Sequence, residues 1–195
     1  MDIKPIETRY KGYKFRSRLE AKWAVFFDAC GIDWDYEPEG FCIDGEINYL
    51  PDFLLHDVFV QAVGVIDLYV EIKGIMTDVD AFKIKSFAYG KKFEKGIYEI
   101  KNPILILGNI PKGETFDEKI KYMDNCLFNS FNSIHLFSHE LINNYGVRLA
   151  LPALDCNWEF RIFDLHIDDW IDEEKTNLAY KKAQQARFEH GESPE

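Results

Sequence analysis

Tyr49-Leu50-Pro51-Asp52-Phe53-Leu54-Leu55 and Leu68-Tyr69-Val70-Glu71-Ile72-Lys73-Gly74 decide how this chain is read. Each is an apolar, strand-like run interrupted by charge. Such runs belong in a buried sheet, where an unpaired carboxylate or ammonium is expensive. Residues two apart on a strand share a face, roughly 6.6 Å apart, so Glu71 and Lys73 are expected to point the same way. If the strand holding Asp52 lies beside them, the three charges meet. They suit a shared divalent cation, with Asp52 and Glu71 as hard oxygen ligands for Mg²⁺ (or Mn²⁺) and the Ile72 carbonyl as a further oxygen. A water made more acidic by that cation and held by Lys73 would attack a phosphodiester. Lys73 would also offset the charge growing on phosphate.

Upstream, Tyr10 to Phe15 reads as a short strand or extended lead-in. Ser17, with Glu20 three residues on, forms a capping box. The helix it starts carries Leu19, Trp23, Phe26, Phe27 and Cys30 on one stripe, at helical spacing, and Gly31 is a reasonable stop. Ile32 to Glu37 alternates and reads as a half-exposed strand ended by Pro38. Phe41 to Ile43 and Ile47 to Leu50 flank Asp44-Gly45, a hairpin signal.

Downstream, His56 to Asp67 reads as a connection to the strand Leu68 to Lys73. Asp78 is expected to cap a helix reaching about Phe93. Pro103 to Leu107 is the clearest buried strand. A strand, a crossover helix and another strand imply a parallel pair. Phe116 to Asn132 carries a helical pattern, and Ser133 to Leu154 mixes strand and helix signals. Glu159 to Leu165 alternates like a strand, and Asp172 to about His190 reads as a helix. No repeat, linker or low-complexity tract appears, so a single domain over 1–195 is expected. Its core is about 10–108, an insert about 109–157, and a terminal strand and helix about 158–190.

A length of 195 residues with 47% hydrophobic content supports one well-filled core rather than a disordered tail. No apolar run approaches the roughly 20 residues of a membrane span, and Met1 to Pro5 has no signal-peptide core. A soluble, cytoplasmic protein without membrane partners is expected. A net charge of -11 argues against a general nucleic-acid coat, which needs Lys and Arg. It leaves room for an enzyme with a local basic lip. Gly31 to Val58 has no Lys or Arg, whereas Lys4, Arg9, Lys11, Lys14, Arg16, Arg18 and Lys22 precede it. Cys30, Cys42, Cys126 and Cys156 form no C-x-x-C pair and read as free thiols. The set Cys126, His135, His139 and Cys156 matches no structural-zinc spacing.

Pro51-Asp52 followed by Glu71-Ile72-Lys73 resembles the PD-(D/E)xK signature of the restriction-endonuclease-like nuclease superfamily. Arg16-Ser17-Arg18-Leu19-Glu20-Ala21 resembles that family's first core helix, which often supplies another carboxylate. With Ala186-Arg187-Phe188-Glu189-His190-Gly191, the chain looks like small nuclease-like proteins encoded by bacteriophages. The resemblance covers about Tyr10 to Gly108 and the C-terminal helix. It implies an α/β fold with the restriction-endonuclease-like αβββαβ core and a mixed sheet, and a Mg²⁺-dependent deoxyribonuclease, an endonuclease of phage or mobile-element origin. Its catalytic residues would be Glu20, Asp52, Glu71 and Lys73. Its metal ligands would be Glu20, Asp52, Glu71 and the Ile72 carbonyl.

Each residue also has a plainer role. Glu20 could simply complete the capping box, Asp52 cap a turn, and Glu71 and Lys73 pair at a surface. Arg16, Arg18, Lys83 and Arg187 are candidate nucleic-acid contacts, or solvated charges and ion-pair partners. His56 and Asp57 read as loop polarity. Residues 109–157 are where a protein partner or dimer contact would sit most easily. The competing function is an acidic protein on a nuclease fold that occupies a basic cleft of a host nucleic-acid-binding or defence protein without cutting DNA.

Overall fold

The computed structural model of the chain describes residues 6–60, 63–90, 100–113, 118–119, 140–143, 146–154, 160–164 and 172–188. The chain opens with a hairpin, β1 (Thr8–Tyr10) and β2 (Tyr13–Phe15), where the sequence suggests one extended piece. The reason is Lys11-Gly12, both at positive φ (46° and 85°), which folds the run back on itself. Helix α1 (Arg18–Ala29) follows, with Ser17 as N-cap accepting from the Glu20 amide. Its Ala21, Trp23, Ala24, Phe26 and Phe27 are fully buried.

Three short strands come next: β3 (Trp34–Tyr36), then β4 (Phe41–Ile43) and β5 (Ile47–Tyr49), joined through Asp44-Gly45 as the sequence predicts. β4 and β5 form a separate ribbon. Phe41 seats that ribbon edge-on against Tyr69 and Phe87, at ring distances of 5.5 and 4.9 Å.

The largest departure from expectation concerns His56 to Asp67. It is not a connection: β6 (Phe53–Val60) and β7 (Gly64–Ile72) make a long antiparallel hairpin through it. A bulge between Leu55 and Val58 interrupts the register, with Asp57 at φ 51°. The extra residue at the bulge breaks the period-two pattern by which a strand is recognised. His56 sits on this bulge. Its Nε2 lies 3.0 Å from Asp35 on β3 and its Nδ1 3.6 Å from Asp67 on β7. The hydrogen bond to Asp35 raises the His56 pKa; slight burial opposes this, and Asp67, Asp35 and Asp33 add to it. A raised folded-state pKa contributes stability below the unfolded value of about 6.5, lost as pH climbs through the folded value. His56→Gln is therefore expected to cost more thermal stability at pH 5.5 than at pH 8.5. A gap that widens towards high pH would contradict the bridging role.

Helix α2 (Asp78–Tyr89) crosses from β7 to β8 (Ile104–Leu107), and β7 and β8 are parallel, as expected. Its N-cap is Thr77, one residue before the Asp78 expected, because Thr77 and Asp80 form a reciprocal capping box. It stops at Gly90, φ 68°, short of Phe93. β8 is buried on both faces, which explains its unbroken apolar run. Leu105 and Leu107 face α1, and Ile104 and Ile106 face α2 with Ile84 and Phe87.

β9 (Glu140–Asn143), β10 (Gly146–Leu154) and β11 (Phe160–Asp164) extend the sheet, and α3 (Glu173–Gln185), capped by Asp172, packs on α1. The sheet order is β11-β10-β9-β8-β7-β6-β3, and β11 also pairs in parallel with β6. The sheet thus curls until its far strand meets β6. The fold is mixed α/β, with a curled mixed sheet and, among the described residues, three helices. The helix expected at Phe116 to Asn132, apart from Glu118 and Lys119, and the set Cys126, His135, His139 and Cys156 lie outside the described residues. No helix among the described residues is long and apolar enough to cross a membrane.

Candidate active site

The β6–β7 register pairs Phe53 with Val70 and Leu54 with Tyr69. Asp52 immediately precedes β6, near enough to Glu71 on β7 for their charges to act on each other. The Asp52 amide donates at 3.0 Å to the carbonyl of Val70, the residue already paired with Phe53, so the register slips by one here. Like charges brought close together repel, and these two are 2% and 3% exposed. The fold brings Asp52 and Glu71 close enough for each to feel the other's charge.

Each carboxylate has its own partners. Asp52 Oδ2 accepts from the Ile72 amide at 2.6 Å, and Oδ1 accepts from Arg16 Nη2. Arg16 Nε also pairs with Glu37 at 2.9 Å. Glu37 is tethered in turn, its amide donating to Asp52 O at 2.8 Å. Glu71 Oε2 accepts from Tyr49 OH at 2.6 Å, and Oε1 pairs with Lys73 Nζ at 2.9 Å. Lys73 also reaches Asp80 at 3.3 Å, from the first turn of α2.

Burial pushes Asp52 well above the ordinary carboxylate range. The charges of Glu71 and Glu20 push the same way, against Arg16 and the Ile72 amide. Burial alone would lower Lys73, but Glu71, Asp52 and Asp80 outweigh it and hold the ammonium firmly charged. Tyr49 is raised by burial and by Glu71, so it remains a hydrogen-bond donor.

Glu20 is buried, and it does two things at once. Oε1 accepts from Ser17 Oγ at 2.7 Å, while Oε2 accepts from Tyr36 OH at 2.6 Å and the Arg16 amide at 3.0 Å. Its electrostatic effect reaches Asp52. Its oxygens nevertheless serve the helix start and β3. Among the described residues no group of three or more His, Cys, Asp and Glu side chains is arranged to hold a metal ion.

The donor chemistry nevertheless fits a hard cation at one pair. Asp52 and Glu71 are two buried, all-oxygen groups in mutual repulsion. Three buried carboxylates here face two cations, Arg16 and Lys73. A third cation would relieve that imbalance. Ile72 meets Asp52 through its N–H.

Arg16 belongs to the cluster. Arg18 and Arg187 lie together elsewhere, lining a separate pocket with Lys22. Lys83 is exposed on α2. His56 and Asp57 belong to β6, on the bulge. Sequence reasoning missed Tyr49, Tyr36 and Asp80 as partners. Tyr49 sits inside the deciding stretch, but a tyrosine beside a strand signals core as readily as a ligand to a carboxylate. No family model, curated protein or solved structure matches this chain.

Proposed function

We propose that this protein hydrolyses DNA phosphodiester bonds with divalent-cation assistance, as an endonuclease of the PD-(D/E)xK type. The observation that carries the reading is the placement of Asp52 beside Glu71, both buried, with the charged Lys73 at hydrogen-bond distance from Glu71. The succession α1, β3, β6, β7, α2, β8 supports assigning these elements to a restriction-endonuclease-like core.

Asp52 and Glu71 would hold the cation. Mg²⁺ or Mn²⁺, when bound there, supplies Lewis-acid polarisation of phosphate and water. The chain's own groups do the remainder. Lys73 stays protonated and so acts as a fixed positive charge facing the phosphate rather than as a base. Tyr49 and Asp80 hold Glu71 and Lys73 in place from the ribbon and α2. Arg16, half-exposed and already at the mouth of the cluster, is placed to exchange Asp52 for a phosphate oxygen, which a guanidinium binds well.

The test is cleavage of linear, circular, single-stranded and branched DNA with Mg²⁺ or Mn²⁺. The parent chain is expected to cut at least one of these and to stop in EDTA. Asp52→Ala and Lys73→Ala are expected to lose activity, and undiminished cleavage by Asp52→Ala would overturn the site.

A second reading, an acidic binding protein that occupies a partner's basic cleft, has one observation in its favour. Every oxygen of Asp52 and Glu71 already accepts a hydrogen bond or ion pair within the chain. Mn²⁺ binding separates the two readings, since a decoy has no use for it.

A further inference from the structure

Both oxygens of Asp52 are engaged within the chain, so a cation reaching that carboxylate meets competitors. The Ile72 amide on Oδ2 is neutral and can share its oxygen. Arg16 Nη2 on Oδ1 is charged. Mg²⁺ lies about 2.0–2.1 Å from its oxygen ligands. A guanidinium on the same oxygen would stand only a few ångströms from it, where like charges in a buried setting repel strongly. Arg16 and a divalent ion therefore compete for Asp52.

Arg16 has a second carboxylate within reach. Its backbone is pinned, the amide donating to Glu20 Oε2 at 3.0 Å and to Tyr36 OH at 3.1 Å. The side chain beyond is 53% exposed, with the Tyr36 hydroxyl beside the guanidinium. Its Nε pairs with Glu37 Oε1 at 2.9 Å, and Glu37 is 31% exposed against 2% for Asp52. Glu37 is built into that position. It holds φ 48°, an unfavourable conformation for glutamate, while its amide donates to Asp52 O at 2.8 Å. The exposed carboxylate is thus tied to the backbone of the buried one, and a single guanidinium spans the two. Lys73 repeats the arrangement, from the buried Glu71 at 2.9 Å to the more exposed Asp80 at 3.3 Å.

We propose that Arg16 is an electrostatic latch on the candidate cation site: paired with Asp52 it keeps a divalent ion out, and it opens by retreating onto Glu37. The latch rests on the cation role given to Asp52 in the hydrolytic reading, but it does not require that any strand be cut. It also gives Glu20 a task, as the group that pins the Arg16 backbone. The apparent affinity for a cation is the intrinsic affinity scaled by the fraction of time the latch is open. Without Arg16 the site is always open. With a shorter side chain at position 37, Arg16 loses its place of retreat and stays on Asp52 longer. Counting charges alone predicts no effect of Glu37→Asp, whereas the latch does. It also predicts that the Glu37→Asp effect vanishes once Arg16 is gone, because Glu37 acts only through Arg16.

The test is titration with Mn²⁺ in the absence of nucleic acid, the free ion being read by electron paramagnetic resonance. Arg16→Gln is expected to bind Mn²⁺ about tenfold more tightly than the parent chain, and Glu37→Asp about threefold more weakly. The double variant should match Arg16→Gln, and Asp52→Ala should lose the site. Arg16→Gln binding no more tightly than the parent overturns the latch, as does Glu37→Asp binding equally well. Mn²⁺ binding that survives Asp52→Ala overturns it too. Glu37→Asp keeps its charge at an exposed position where aspartate tolerates positive φ, so it carries the test alone where Arg16→Gln does not fold. The expected pattern in a chain that cuts no DNA sustains the latch and removes the hydrolytic reading alone. Absence of Mn²⁺ binding in the parent and every variant removes both.

Discussion

Glu71→Gln is expected to keep the fold and cut DNA about 10³-fold more slowly than the parent chain, equivalent to about 4 kcal/mol of lost transition-state stabilisation. The substitution is isosteric. The amide oxygen can still accept from Lys73, and the amide nitrogen can donate to Tyr49 OH, which both donates and accepts. Lys73 keeps Asp80 at 3.3 Å as a counter-ion. Asp52 loses the like charge beside it, an electrostatic gain. The unfolding free energy should therefore stay within about 1 kcal/mol of the parent value. What disappears is one of the two anionic ligands on which cation binding would depend. Single-turnover cleavage beside chemical denaturation reads both quantities. Cleavage within tenfold of the parent rate would rule Glu71 out of the chemistry, while collapse of the fold would mark it as a structural group.

Trp23→Ala is expected to cost about 3–5 kcal/mol, the usual range for removing a fully buried tryptophan. Trp23 is 0% exposed at the centre of an aromatic group. It meets Phe26 edge-on at 5.2 Å, stacks on Phe27 at 6.0 Å and meets Tyr180 of α3 at 6.2 Å. The cavity would sit where α1, α3 and the sheet converge. The Gly108 carbonyl would also lose its indole donor, leaving a polar group to be satisfied some other way. For a domain stable by roughly 5–15 kcal/mol this is a large fraction of the total. Urea unfolding measures it directly. A loss below about 1 kcal/mol would mean that packing at this junction contributes little to the fold.

Local pattern was informative where a single interaction dominated. The stripe on α1 and the Ser17 cap, the Asp44-Gly45 turn and the doubly buried run of β8 follow from helical periodicity, turn chemistry and two-sided burial. The β6–β7 hairpin was not legible past Leu55. Its bulge places His56 and Asp57 in the strand, and only pairing with β3 and β7 distinguishes that from a polar loop. The curl of the sheet was equally hidden, because pairing of β11 with β6 joins segments about a hundred positions apart, at Arg161 and Phe59.

At the candidate site the division is sharper. That Asp52, Glu71 and Lys73 lie in apolar, strand-forming surroundings follows from residue order, which sets local pattern and face. Tertiary structure alone decided who neutralises whom. The β6–β7 hairpin put Asp52 beside Glu71, the N-terminal hairpin and α1 delivered Arg16 to Asp52, and the ribbon delivered Tyr49 to Glu71. Glu20 went to Ser17, Tyr36 and the Arg16 amide. Those partners come from separate elements, and a buried charge takes whichever donor the packed fold brings within about 3 Å.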